Sequence, residues 1–274
     1  MATAERISDV MTSEEAFAFI CEVLGVTSPK DKMVSDPVAL LNEILYSWQE
    51  NIPYQTIHSI ATPKKDRHLP TLPEIKNDIM AKFGGCCYHH NVGCYMVIKA
   101  LGYQVALVPG DANGFRSAHV AIIVFNLSGE GSKHMADVGT GGWPTFQLIP
   151  LDFERESPEY HESFLIYKFV RQGDLILRQH NAESDPAGAP ITSRCPSSTD
   201  AFPKGRLLSI NNATLLEEQE DGYIKKTYLR SREEMISVFK RHFPQLDEYI
   251  IQAAIDDELV KLDFNRNEIS FAKE

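Results

Sequence analysis

The residues with the clearest capacity for chemistry lie in the run Gly84-Gly85-Cys86-Cys87. Two consecutive glycines end one predicted helix and allow a sharp turn, so Cys87 is predicted to lie in the first turn of the next helix. Unpaired amides and the helix dipole stabilise an anion there and lower the pKa of a thiol. The pattern therefore predicts that Cys87 is a nucleophile.

A cysteine nucleophile needs a base, and the base needs an acceptor that orients it. His119 lies at the start of an apolar run, an unusual place for a polar ring unless it faces a site, and Asp137 ends the next β-prone run. Neighbouring antiparallel strands would bring the two within hydrogen-bond reach. Cys87, His119 and Asp137 then form a papain-like site, in which the imidazole takes the thiol proton and the carboxylate fixes its tautomer.

Other interpretations of these residues stay open. His119 is equally compatible with a core histidine that is hydrogen-bonded to the backbone, and Asp137 with a turn acceptor. His90, three residues after Cys87, is an alternative candidate for the base. Otherwise His89 and His90 are expected at the surface or behind the site. No metal site is predicted, because adjacent cysteines and adjacent histidines on one helix cannot converge on a tetrahedral ion.

The first third of the chain predicts the helices that position this run. Thr12 and Glu15 have the spacing of a capping box, and the apolar periodicity that follows places Cys21 in the core. Cap residues, prolines and glycines bound the other helices. These three helices are predicted between Ser35 and Pro53, between Thr71 and Gly84, and from Cys87 to Leu101.

Beyond Gly102 the pattern changes to short β-prone runs separated by turn signals, and a Pro-, Ser- and Gly-rich stretch from Asn181 to Gly205 predicts a long loop. Two strands and two helices are predicted after it. The fold class is therefore α+β: an N-terminal helical bundle (1–101) with Cys87, a central antiparallel β-barrel (102–205) with His119 and Asp137, and a C-terminal α/β block (206–274).

Composition excludes several classes of function. The chain has 274 residues, 43% of them hydrophobic and 24% charged, which is typical of a globular protein, and its net charge of −11 argues against nucleic-acid and anionic-membrane partners. No apolar run reaches the length of a bilayer span and the N-terminal residues are polar, so a cytoplasmic protein is predicted. Five cysteines, an odd number, favour reduced thiols over disulfides.

Several motifs together resemble the arylamine N-acetyltransferase family. The run from Gly84 to Cys87, followed by Asn91, is similar to its Arg-Gly-Gly-x-Cys motif. Its histidine and aspartate motifs resemble Ser117-Ala118-His119-Val120 and Asp137-Val138-Gly139-Thr140-Gly141, and its Ile-Pro-Phe segment resembles Ile52-Pro53-Tyr54. The resemblance covers residues 52–151 and implies a helical domain, a β-barrel and an α/β lid.

The resemblance implies acyl transfer from acyl-coenzyme A to a small arylamine or arylhydrazine through a thioester on Cys87. Acetyl-coenzyme A is the default co-substrate, propionyl- and malonyl-coenzyme A stay open, and no bound cofactor or metal is implied. Ser117 and Ala118 are expected to offer backbone contacts to bound substrate. Six basic residues near the lid are candidates to attract the polyanionic coenzyme, although for most of them a solvated charged face is the favoured alternative: Lys204, Arg206, Lys225, Lys226, Arg230 and Arg232.

Three positions depart from the family pattern. Phe83 stands in place of arginine, with Lys82 beside it, His89 in place of Glu or Gln, and Thr140 in place of Phe. These changes would reshape the pocket or weaken the enzyme. Two further function classes therefore stay open, a thiol hydrolase that uses the same three residues and a catalytically weakened homologue that binds ligands.

Overall fold

The computed structural model describes residues 10–112, 115–141, 143, 145–162, 165–180, 192–194, 207–220 and 223–259. Its helices are α1 (Ser13–Ala18), α2 (Pro29–Ser35), α3 (Pro37–Asn51), α4 (Ile57–Ala61), α5 (Leu72–Met80), α6 (Cys87–Ala100), α7 (Arg232–His242) and α8 (Glu248–Leu259). Its strands are β1 (Tyr54–Gln55), β2 (Gln104–Ala112), β3 (Phe115–Phe125), β4 (Lys133–Ala136), β5 (Ile149–Pro150), β6 (Tyr160–Glu162), β7 (Leu165–Gln172), β8 (Leu175–His180), β9 (Thr192–Arg194), β10 (Leu208–Asn211), β11 (Thr214–Glu218) and β12 (Ile224–Tyr228).

The N-terminal part of the chain is helical, as predicted, and its helices supply most of a large hydrophobic core. The capping box of Thr12 and Glu15 is present at the start of α1. The prediction for Cys21 is wrong, because its side chain is exposed. A π-helical turn at Phe19–Val23 directs Phe19 and Ile20 into the core, and Cys21 faces outward.

A four-stranded antiparallel sheet, β2-β3-β4-β5, packs against α6. Ile122 and Val124 of β3 and Ala136 of β4 are fully buried in the same core as the helices. Because Ile122 of β3 pairs with Ala136, the last residue of β4, the residues just before Ile122 in β3 lie beside the end of β4. This shared core places the first turn of α6 beside those two strand segments.

Two further antiparallel sheets complete the described strands. One has the order β6-β7-β8, and the other has the order β1-β9-β10-β11-β12 and packs with α4, α7 and α8 around a second apolar core. The prediction of an unbroken loop from Asn181 to Gly205 is wrong at β9, whose backbone pairs with both β1 and β10. The rest of that stretch lies outside the described residues.

The mixed α+β class is confirmed, with helices and antiparallel sheets in the predicted order. Closure of the central sheets into a barrel and the domain boundaries stay predictions. Across the described part of the chain, no helix is both long enough and apolar enough to cross a membrane.

Candidate active site

The turn before α6 depends on its two glycines. Gly84 has a φ of 71°, and a Cβ on it would lie 2.0 Å from the Pro53 carbonyl oxygen, so only glycine fits. Cys86 is the N-cap residue of α6 and Cys87 is its first residue. Both thiols are therefore at a helix N-terminus, as predicted for Cys87.

His119 and Asp137 form a closely held pair. His119 Nε2 lies 2.7 Å from Asp137 Oδ2, and the Asp137 side chain is 8% exposed. Asp137 Oδ1 accepts hydrogen bonds from Asn91 Nδ2 at 2.8 Å and from the Gly139 amide at 3.1 Å. Since Nε2 faces the carboxylate, Nδ1 is the ring nitrogen that is left to exchange a proton with a thiol.

Asn91 joins the three elements that carry these groups. Its Nδ2 also donates to the Val120 carbonyl at 2.6 Å, and its Oδ1 accepts from the Val138 amide at 3.0 Å. The side chain on α6 thus holds β3 and the segment after β4 in register around Asp137. Its role was not predicted, although its position four residues after Cys87 places both on one helix face.

Cys87 lies against the same two strand segments. Its Sγ is 3.8 Å from the carbonyl oxygen of Ala118, the residue before His119. A Cβ on Gly139 would lie 2.9 Å from Cys87 Cα and 2.5 Å from Asn91 Nδ2. This close approach brings the predicted residues Cys87, His119 and Asp137 to one place.

Burial lowers the pKa of His119, but the hydrogen bond and negative charge of Asp137 outweigh it and raise the pKa above its usual value. The imidazole is therefore a good proton acceptor. A nearby positive charge on Arg178 opposes this effect.

Among the known proteins, a model of the N-acetyltransferase family matches residues 38–188, more than half of the chain, and this range includes Cys87, His119 and Asp137. The chain belongs to the arylamine N-acetyltransferase family. No curated protein sequence matches it.

Solved arylamine N-acetyltransferases have a similar fold. The Mycobacterium marinum enzyme in complex with CoA has a TM-score of 0.64 at 15% identity, over 86% of this chain and 97% of that chain. The Nocardia farcinica enzyme has a TM-score of 0.62 at 18% identity, over 88% and 95% of the two chains. Arylamine N-acetyltransferase C from Bacillus anthracis has a TM-score of 0.59 at 15% identity, over 86% and 100%. At these identities the likeness concerns the fold.

The position of the family arginine is occupied by a packing residue. Phe83 packs against the second apolar core and meets the His58 ring edge-on, with ring centroids 5.5 Å apart. Lys82 Nζ donates to Asn51 Oδ1 at 3.1 Å, so this cation is used at the end of α3. The Thr140 hydroxyl is buried without a hydrogen-bond partner in the described part of the chain.

The expectation for His90 as a base or a surface residue is wrong, because both its ring nitrogens are occupied in the core. Nδ1 accepts from Trp48 Nε1 at 3.0 Å and Nε2 donates to the Pro53 carbonyl at 3.0 Å. Burial lowers its pKa to about 4, so the ring is neutral. His89 is half-buried and pairs with Asp78.

The two adjacent thiols of this family member are electrostatically coupled. The neighbouring Cys87 thiol and then the His89 imidazole lower the pKa of Cys86, against the effect of burial. The neighbouring Cys86 sulfur, burial and the charge on Asp137 raise the pKa of Cys87. Because ionisation of one of these adjacent thiols disfavours ionisation of the other, the ionisation of Cys87 at the helix N-terminus stays a prediction.

Ser117 and Ala118 are exposed at the beginning of β3, where Ser117 has a φ of 51° and its amide donates to Asp111 Oδ1 at 2.9 Å.

The basic residues near the C-terminal sheet differ in whether they pair with a carboxylate. Lys225 pairs with Glu217 at 3.9 Å, Arg232 binds the Asp256 carboxylate, and Lys226 and Arg230 are exposed. Lys204 and Arg206 lie outside the described residues.

Within the described ranges, no group of three or more His, Cys, Asp and Glu side chains is arranged to hold a metal ion.

Proposed function

We propose that the protein is an acyl-coenzyme A-dependent arylamine N-acyltransferase in which Cys87 carries the acyl group, with acetyl-coenzyme A as the default donor and an arylamine or arylhydrazine as acceptor. The observation that carries the proposal is the pair of half-buried His119 and buried Asp137, 2.7 Å apart, with the Cys87 sulfur against the adjacent Ala118 carbonyl. Membership of the family and the CoA complex of the similar Mycobacterium marinum enzyme support the choice of donor.

In the first half-reaction His119 Nδ1 takes the proton of Cys87, and the sulfur attacks the thioester carbonyl carbon. A C–S bond to Cys87 forms, the C–S bond to coenzyme A breaks, and the coenzyme A thiolate leaves with the proton from the imidazolium. Backbone amides in the first turn of α6 stabilise the oxyanion. Asp137 positions the ring by holding Nε2.

In the second half-reaction the amine nitrogen attacks the carbonyl carbon of the acyl-enzyme. His119 accepts the amine proton and returns it to the Cys87 sulfur as the C–S bond breaks, which restores the thiol and releases the amide. Ser117 and Ala118 offer backbone groups to the bound acceptor, since they are exposed beside the Cys87 sulfur. Propionyl- and malonyl-coenzyme A stay open as donors.

Lys226 and Arg230 are proposed to attract the coenzyme A phosphates. They are exposed, whereas Lys225 and Arg232 already pair with carboxylates. We expect Lys226→Glu to raise the KM for the donor by about threefold to tenfold with little change in kcat, because it reverses one charge near a polyanion. Lys133→Glu, an exposed charge on β4 of another sheet, is the matched control.

The proposal is tested by steady-state release of coenzyme A at several concentrations of both substrates. A ping-pong pattern that depends on the amine, and its loss in Cys87→Ser, is the expected result. Release at the same rate without amine would identify a thiol hydrolase. Binding of a donor without release of coenzyme A from any of the three donors would identify a ligand-binding homologue.

A cytoplasmic location stays a prediction from composition.

A further inference from the structure

A second set of cysteine, histidine and aspartate side chains lies next to the first. Cys86 Sγ is 3.9 Å from His89 Nδ1, and His89 Nε2 is 3.4 Å from Asp78 Oδ2. Cys86 is the N-cap residue of α6, His89 belongs to the first turn of α6, and Asp78 belongs to α5. None of the three takes part in the reaction proposed for Cys87.

The backbone holds the His89 ring in this position. A Cβ on Gly85 would lie 2.4 Å from His89 Cγ and 2.6 Å from Nδ1, so the ring packs directly on the Gly85 backbone. The side chains of His89 and Asp78 are 16% and 25% exposed. The imidazole is therefore fixed from one side by Gly85 and from the other by the carboxylate.

The charges around Cys86 favour a thiolate that is paired with an imidazolium. Burial lowers the pKa of His89, but Asp78 and Cys86 outweigh it and raise the pKa to about 9. The other titratable groups facing the sulfur are the adjacent Cys87 thiol and the neutral side chains of Tyr54 and His90. At neutral pH the positive charge that faces Cys86 is that of His89.

We propose that Cys86 is a second nucleophilic thiol, activated by His89 and Asp78, and that it is a modification site for small conjugated carbonyl compounds. The Cys86 thiolate attacks the β-carbon, an S–C bond forms, and the C=C electron pair moves to give an enolate. His89, an imidazolium within 3.9 Å of the sulfur, gives its proton to the enolate and is reprotonated from water. The nucleophile and the proton donor of these steps are both side chains of the protein.

Cys86 and Cys87 are expected to react as separate thiols. Adjacent residues joined by a trans peptide have Cα atoms about 3.8 Å apart. Disulfides favour Cα separations of about 4.4–6.8 Å, so a bond between these two sulfurs would be strained. Addition to Cys86 is therefore favoured over a disulfide with Cys87.

The test measures addition of N-ethylmaleimide to each cysteine between about pH 5.5 and about pH 8, by mass spectrometry of peptides. The background is Cys87→Ser, which keeps a hydroxyl donor beside Cys86. Exposed Cys21 is the reference within the same molecule. The rate at Cys86 is expected to change by less than about threefold over this range, whereas the rate at an ordinary thiol rises steeply with pH.

His89→Gln and Asp78→Asn in the same background test the activation. His89→Gln is expected to restore a steep pH profile at Cys86, and Asp78→Asn to steepen it partly, while Cys21 stays unchanged. A steep profile at Cys86 before either change, or a flat one after His89→Gln, would overturn the proposal. The wild-type protein, with fragment ions that separate Cys86 from Cys87, gives the same readout if the background variant does not fold.

Discussion

Two sets of cysteine, histidine and aspartate meet at the first turn of α6, and they differ in how the carboxylate is held. Asp137 is buried, lies 2.7 Å from His119 and accepts hydrogen bonds from Asn91 and Gly139. Asp78 is more exposed and lies 3.4 Å from His89. The first carboxylate is itself held by two further hydrogen bonds, whereas the second lies farther from its imidazole and is more open to solvent.

The difference separates two uses of the same residue types. An oriented imidazole can take and return a proton in each half-reaction, which suits repeated acyl transfer through Cys87. A charged imidazolium beside a sulfur keeps a thiolate ionised, which suits a single addition at Cys86. Residue type alone does not distinguish these roles, but the number of fixed hydrogen bonds at the carboxylate does.

The largest expected effect is the loss of acyl-transfer activity when the Asp137 carboxylate is removed, compared with removal of the Asp78 carboxylate. Asp137→Asn is expected to lower kcat/KM for acyl transfer by about 10³-fold to 10⁴-fold, because His119 loses its orienting acceptor. Asp78→Asn is the matched control and is expected to change it by less than about threefold, since Asp78 does not touch His119. Equal losses in both variants would remove the distinction between the two sets.

The second-largest expected effect tests the close approach of Gly139, in the segment after β4, to α6. Gly139→Ala places a Cβ 2.5 Å from Asn91 Nδ2 and 2.9 Å from Cys87 Cα, so these groups must separate. A displacement of this size is expected to lower kcat about 100-fold. Gly110→Ala, whose Cβ would meet His119 Cβ at an ordinary 3.6 Å, is the control. Comparable rates in the two variants would contradict the geometry.

A smaller effect tests the coupling of the two thiols. The Cys86 thiolate raises the pKa of Cys87, so Cys86→Ser should lower it by removing a like charge. We expect the midpoint of Cys87 alkylation to move down by at least about one pH unit, which is a tenfold change in rate at low pH. Cys94→Ala, at a buried thiol in the core, is the control. An unchanged midpoint would mean that the sulfurs do not interact.

The smallest effect concerns the other histidine of α6, His90, which belongs to the core. Trp48→Phe removes the donor to buried His90 Nδ1 and is expected to lower the free energy of unfolding by about 1–3 kcal/mol. Activity per folded molecule should change little. Denaturant unfolding and the rate measured on the same samples check both. A large loss of activity at unchanged stability would place His90 in the site.

Much of the site follows from the sequence because its parts are local. Consecutive glycines predict the turn before Cys87, and apolar runs predict the strands that carry His119 and Asp137. Cys86 and His89 are three residues apart, a spacing that places them together on a helix. Asp78 belongs to another helix, so its approach to His89 depends on how α5 and α6 pack, which spacing does not encode.

The errors have the same physical origin. Cys21 is exposed because a π-helical turn changes the phase of the helix, and β9 forms because β1 and β10 offer it backbone partners. The neighbours of Cys86 likewise include His89, whose carboxylate partner Asp78 comes from another helix. Helix position alone therefore did not predict this second group.

The assignment of acyl transfer to Cys87 is tested most directly by the mass of the intact protein after incubation with acetyl-, propionyl- or malonyl-coenzyme A. One acyl adduct in the wild type and in Cys86→Ser, absent in Cys87→Ser and lost on addition of an arylamine, is the predicted result. An adduct that persists in Cys87→Ser, or no adduct in the wild type with any donor, would contradict it.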